Sequence, residues 1–260
     1  MSRIEQLGIE MKKSFMALGV VCALSACGGG GGGGLPFFPV GPIITSNGLS
    51  TSVEVSEAQN GEITAGPFGP ITEANLSVDQ NGALVRNGQV IGDEAGVVQL
   101  QHSTFGGWVD DNDAAPATIF ASFGNVTPSG NLPSADATYR GESIGIVGDN
   151  DIGATRITVS EVQVDVTNGF RDVAIESRNT AFSDLNTGES GFDSAYDFTG
   201  NGQVTGSGFD ATIANDFPGF DLSGTAQGKF YGPAAEEVGG VFTMSGTANS
   251  QYSGSFGGAR

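Results

Sequence analysis

Glycine occupies 43 of the 260 positions and recurs along the whole chain. Inside a helix each glycine costs about 1 kcal/mol against alanine, so long helices are set aside. Between the glycines, valine, threonine, isoleucine and phenylalanine come in short runs bounded by Gly, Asn, Asp and Pro. Short apolar runs punctuated by turn residues mark an all-β protein. A hydrophobic fraction of 38% is low but still enough for packed cores, and the length allows one or two domains.

The N-terminus reads as an address. Lys12-Lys13 precede an apolar run from residue 15 to residue 24, the pattern of a secretory signal. The run is about half the length that a bilayer span needs. Glu5 and Glu10 are out of place in such a signal, which points to translation starting at Met11 rather than Met1. Leu24-Ser25-Ala26-Cys27 reads as a bacterial lipobox, with residues 1–26 removed and the Cys27 thiol acylated. Two or more acyl chains anchor stably where one is marginal. The residue after the cysteine is Gly28, which favours the outer membrane. Cys22 leaves with the signal, so the mature chain has no cysteine pair for a disulfide.

Seven glycines, 28–34, follow. They form a flexible tether spanning roughly 15 Å. No strand precedes them and no Lys-Ser/Thr follows, so they are not a phosphate loop. Leu35-Pro36-Phe37-Phe38-Pro39 reads as an arm, with Phe37 and Phe38 as candidate partner contacts. Residues 27–47 are thus expected to be lipidated cysteine plus tether.

Two β segments follow. In 48–125, Val53 and Val55 share one strand face and Leu76 and Val78 another. Residues 83–90 read as a hairpin about Asn87-Gly88. Pro128, Gly130, Asn131 and Pro133 make 126–136 a linker. From 137 to 260 eight strands are expected, beginning near Thr138, Ala154, Phe170, Phe192, Thr205, Leu222, Val238 and Ser250. Eight antiparallel strands close into a barrel that side chains just fill. Ile157 and Val159 lie on one parity and Val162, Val164 and Val166 on the other, so a β-bulge is expected near Ser160-Glu161. A membrane barrel would show aromatic girdles; this chain closes on Gly257-Gly258-Ala259-Arg260.

The net charge is -19. Cleavage removes Arg3, Lys12, Lys13, Glu5 and Glu10 and leaves -20. Such a surface repels phosphates, so a nucleic-acid partner is excluded; it favours basic partners.

Several stretches carry a resemblance. They are Phe105-Gly106-Gly107-Trp108, residues 120–124, Thr127-Pro128, Leu132-Pro133 and Ala137-Thr138-Tyr139-Arg140-Gly141. Near the end come Gly228-Lys229-Phe230-Tyr231-Gly232-Pro233, Ala235-Glu236-Glu237, Gly239-Gly240-Val241-Phe242 and Ser253-Gly254-Ser255-Phe256-Gly257-Gly258. In this order they resemble the transferrin-binding protein B-like surface lipoproteins, whose relatives include factor H binding protein and hemophilin-type haem carriers. The resemblance covers 105–260. It implies a handle β-domain followed by an eight-stranded barrel, export to the cell exterior by an outer-membrane translocator, and binding of a protein or an iron-bearing ligand passed to a receptor. It does not transfer a ligand, because ligand contacts sit in loops grafted on a shared scaffold.

Catalytic chemistry finds little support. His102 is the sole histidine, and no nucleophile elbow accompanies it. A His/Cys zinc site cannot be assembled. Under the resemblance, His102 is a candidate haem ligand in the handle. Trp108 and Tyr231 read as core or interdomain aromatics, and Trp108 is also a candidate partner contact. Asp110-Asp111-Asn112-Asp113, Asp149-Asn150-Asp151 and Asp184-x-Asn186-x-Gly188 with Asp193 fall short of a calcium loop and read as solvated turns. The expected function is ligand binding at the outer surface, the alternative a structural or adhesive envelope lipoprotein; no enzyme is expected.

Overall fold

The computed structural model describes residues 40–47, 53–56, 62–64, 70–72, 76–79, 83–86, 89–110, 117–149, 154–215, 217, 221–246 and 250–260. Cys27, Phe37 and Phe38 lie outside these residues, as do most of the two Asp/Asn clusters at 110–113 and 149–151.

The N-terminal part is a seven-stranded antiparallel sheet with a separate hairpin. Its strands are β1 (Val40–Asn47), β2 (Val53–Ser56), β5 (Leu76–Val78), β6 (Leu84–Arg86), β7 (Gln89–Gln99), β8 (Ser103–Asp110) and β9 (Ala117–Gly124), in the order β2-β1-β9-β8-β7-β6-β5. The hairpin joins β3 (Glu62–Thr64) and β4 (Pro70–Thr72). Arg86 pairs with Gln89, the register that a two-residue turn requires, while Asn87-Gly88 lie outside the described residues. The sheet begins before residue 48: β1 occupies the end of the segment expected to be tether. Gly41 and Pro42 conceal this strand in the sequence, and its register against β9 shifts between Val40 and Ile43 to accommodate them.

The C-terminal part is a closed up-and-down barrel. Its staves are β10 (Ala137–Asp149), β11 (Ala154–Thr167), β12 (Asp172–Asp184), β14 (Phe198–Thr205), β15 (Gly208–Ala214), β16 (Ser223–Tyr231), β17 (Glu237–Ser245) and β18 (Gln251–Ala259). Each pairs with the next, and β18 pairs with β10 to close the ring. The short strand β13 (Ser190–Phe192) takes over from β14 on the far part of β12.

The barrel encloses rings rather than space. Phe230 lies 4.8 Å from Phe170 and 5.7 Å from Phe209, and Phe242 lies 4.9 Å from Tyr252 and 5.0 Å from Phe198. Val162, Val164, Val166, Val173 and Ile175 pack against them. The outer face of the staves away from the handle is polar. Thr199, Asn201, Gln203 and Thr205 on β14 and Asp210 and Thr212 on β15 are exposed. A lipid-facing barrel would present apolar residues at these positions.

The expected bulge sits on the other strand. β11 keeps an unbroken register with β10 through Ser160 and Glu161. The shift is in β12, where Val159 pairs with Ala181 and Glu161 with Arg178. Asn179, at φ 55°, carries the extra residue. The parity change in β11 is therefore real: Ile157 and Val159 stay on the outer face. Thr158 and Ser160 turn inward and meet Tyr252 (3.0 Å) and Thr180 (2.8 Å). Hydroxyl partners made inward-facing polar residues cheap where the pattern suggested a slip.

Candidate functional site

Two regions concentrate chemistry: the seam between handle and barrel, and the barrel end where the long connections gather.

At the seam, β8 and β9 lie on the outer face of β17 and β18. Phe120 packs with Ile144 and Val241. Ser122 Oγ meets Tyr231 OH at 3.0 Å, and the Ser255 hydroxyl donates to the Gly106 carbonyl at 2.9 Å. Close approach explains the paired glycines of the matched motifs. A Cβ on Gly257 would stand 2.6 Å from Cε1 of Phe105, and one on Gly239 would strike Ser122 Oγ. The Glu237 carboxylate, 3% exposed, accepts from the backbone N–H of Gln101 (2.8 Å) and His102 (3.0 Å) and from the Ser103 hydroxyl (2.7 Å). The linker is tied down as well: Thr127 N–H donates to the Phe230 carbonyl (2.8 Å) and its hydroxyl to the Gly232 carbonyl (2.6 Å).

His102 is half-buried in this seam. A Cβ on Gly232 would collide with the Glu236 carboxylate and lie 2.8 Å from His102 Cδ2, so the imidazole faces a tight turn and an acid. The Ala234 N–H holds the Glu236 carboxyl below its usual range. A porphyrin needs a broad apolar slot beside its axial ligand; on the barrel side His102 meets a turn glycine, Gly232, and the Glu236 carboxylate. Of its two expected roles, Trp108 takes that of a core aromatic. It is 0% exposed, on the sheet face away from the barrel, 6.0 Å from the Phe123 ring. It is core, with no surface for a partner.

At the other end of the barrel run the connections 150–153, 185–197, 215–222 and 246–250. The opposite end has only 168–171, 206–207 and 232–236. The Arg156 guanidinium is the hub of contacts at this end. It lies 4.6 Å over the Phe182 ring, donates to Tyr196 OH at 2.6 Å and pairs with Asp184 at 3.4 Å and Asp193 at 3.6 Å. The acids that resembled a calcium loop are turn acceptors. Asp184 Oδ1 accepts from the N–H of Asn186 (2.9 Å) and Thr187 (3.0 Å), and Asp193 from that of Ala195 (3.0 Å). Burial pushes the Asp184 carboxyl up. The Thr187 and Asn186 N–H groups and Arg156 outweigh burial and hold it below its usual value.

Asn215 stitches two of these connections together. Its amide donates to the Ala195 carbonyl (2.8 Å) and accepts from the Leu222 N–H (2.8 Å). Beside the stitch stand Phe192, 79% exposed, and Phe217, 41% exposed. The sequence reading missed both. The sequence pattern puts Phe192 near the start of a barrel stave, which begins six residues later at Phe198. Phe217 stands between Asp216 and Pro218; a large apolar residue inside turn chemistry was the available signal.

Handle sheet, filled barrel and pinned seam define a handle-and-barrel lobe. Residues 132–260 match the family of C-lobe and N-lobe beta barrels of Tf-binding protein B, and the chain carries a transferrin-binding protein B-like lobe. Similar solved structures include intact Ap-TbpB with its N and C lobes, at TM-score 0.52 and 14% identity, covering 88% of this chain and 47% of that one. Another is a mutant of the vaccine antigen Transferrin Binding Protein B from Haemophilus parasuis Hp5, at TM-score 0.51 and 15% identity, covering 84% and 44%. At these identities the likeness is one of fold, and this chain spans about half the length of either protein. None of the curated proteins matches the sequence.

Proposed function

We propose that this chain is a surface lipoprotein, held in the bacterial outer membrane by acyl chains on Cys27, whose lobe binds a protein ligand and performs no catalysis. The observation that carries the reading is the lobe itself: a barrel packed with aromatic rings, pinned to a handle, of the kind found in transferrin-binding protein B. A filled barrel with no cluster of metal-ligating residues among those described meets its ligand on the outside. The exposed polar staves suit a body standing in water, and the lipobox with its glycine tether supplies the link to the membrane. An iron-bearing ligand is compatible either as a protein carrying its own iron or as haem held through His102.

Two measurements test this. Labelled palmitate should enter the intact chain and fail to enter a Cys27→Ala variant, which should be lost from the membrane fraction. Intact cells should bind serum transferrin, or another protein drawn from serum, in a manner that disappears on deleting the gene. Cells that keep every binding and uptake property after deletion would favour a structural envelope role.

A further inference from the structure

Given the ligand-binding role proposed above, we infer that the ligand docks on the loop end of the barrel and presents there a basic protein segment bearing apolar side chains. Among the described residues, the exposed large hydrophobic side chains are Val90, Phe192 and Phe217. A single exposed apolar residue means little. Both phenylalanines, however, stand at the same barrel end, in connections joined through Asn215. The backbone that carries Phe192 is held by the turn bonds of Asp184 and Asp193, by the bond from Thr180 to Asp197 and by the Arg156–Asp184 pair. Rigid, exposed aromatic rings are the side chains that anchor protein interfaces, because little conformational freedom is lost when they are covered.

The charge at this end names the partner's chemistry. Connections 150–153, 185–197, 215–222 and 246–250 carry Asp151, Glu189, Asp193, Asp197, Asp216 and Asp221, and neither lysine nor arginine. Arg156 is the nearby cation, and its charge is engaged by Asp184 and Asp193. The opposite end is mixed in charge, with Arg171, the Arg260 side chain and Glu236 at its turns. An anionic membrane or nucleic acid would be repelled from the loop end, and so would a second copy of a chain with net charge -19. A Lys- or Arg-bearing segment would be drawn in, and its apolar residues would cover Phe192 and Phe217.

The test uses the mature lipid-free chain and three peptide probes of equal length: alternating lysine and leucine, alternating glutamate and leucine, and lysine alone. Binding is followed calorimetrically and mapped by amide hydrogen exchange. The lysine–leucine peptide should bind, slow exchange in 185–197 and 215–222, and weaken steeply in about 0.5 M salt. The double variant Phe192→Ser with Phe217→Ser should lose its affinity roughly tenfold or more, with an unchanged near-ultraviolet circular dichroism spectrum. Three results would overturn the inference: protection elsewhere on the lobe, affinity untouched by the double variant, or equal binding of either control peptide. None of them would touch the broader role. Serum-protein binding by intact cells would survive a wrong docking face, and its absence would sink the ligand-binding reading whatever the peptides do.

Discussion

A carboxylate buried as deeply as that of Glu237 persists only where donors surround it. Gln101, His102 and Ser103 supply them, and all three belong to the handle. Glu237→Ala should therefore cost roughly 3 kcal/mol, read as a lower urea midpoint with an unchanged slope; Glu237→Gln should recover part of the loss. The tyrosines give a second test. Burial pushes Tyr139 and Tyr252 up to about 12, whereas an unfolded chain releases its phenolic protons near pH 10. The stability tied to the protonated phenols is whole below about pH 10 and drains as pH rises through about 12, by about 3 kcal/mol for each. Urea denaturation across this range should show the decline, and Tyr252→Phe should flatten it. Phenolate absorbance rising at pH 10 in the folded protein that Tyr139→Phe or Tyr252→Phe removes would contradict the assignment. For His102, the haem reading predicts a saturable Soret shift that His102→Ala removes, and a titration without such a shift retires it. Pattern alone could not separate these roles: a lone histidine, a tryptophan and an acidic pair are spelled the same whether they face a ligand, a core or a seam.

At the level of strands, the barrel was legible because side chains on a stave alternate between filled interior and water. The first three staves begin within two residues of their expected starts, and the last four within three. What misled were positions where hydrogen bonding compensates an unfavourable residue. β1 contains Gly41 and Pro42 yet pairs with both β2 and β9. β11 turns Thr158 and Ser160 inward because hydroxyl partners wait there. The bulge in β12 rests on Asn179 in the left-handed region, a conformation that asparagine tolerates and β-branched residues resist. Asn179→Gly should be close to neutral, and Asn179→Val should lose about 1–2 kcal/mol, measured as a drop in Tm. Gly257→Val should destabilise by a larger amount, since its side chain must displace the Phe105 ring.

Across the whole molecule, handle and barrel should melt together. The sole tryptophan, Trp108, reports the handle core, while the four tyrosines all belong to the barrel. Tryptophan fluorescence and the near-ultraviolet tyrosine signal should trace one urea curve; two separated transitions would mean that the seam is weaker than its contacts imply. The closing strand bears on how such a lobe comes into being. β18 bonds to β17, seals the ring against β10 and presents Ser255 and Gly257 to the handle. Until residues 251–259 arrive, the first stave has an open edge and the handle has no complete seat. Contacts this distant in sequence form late and slowly. The lobe cannot lock while its closing stave is still behind the others, so the order of folding is kept by topology.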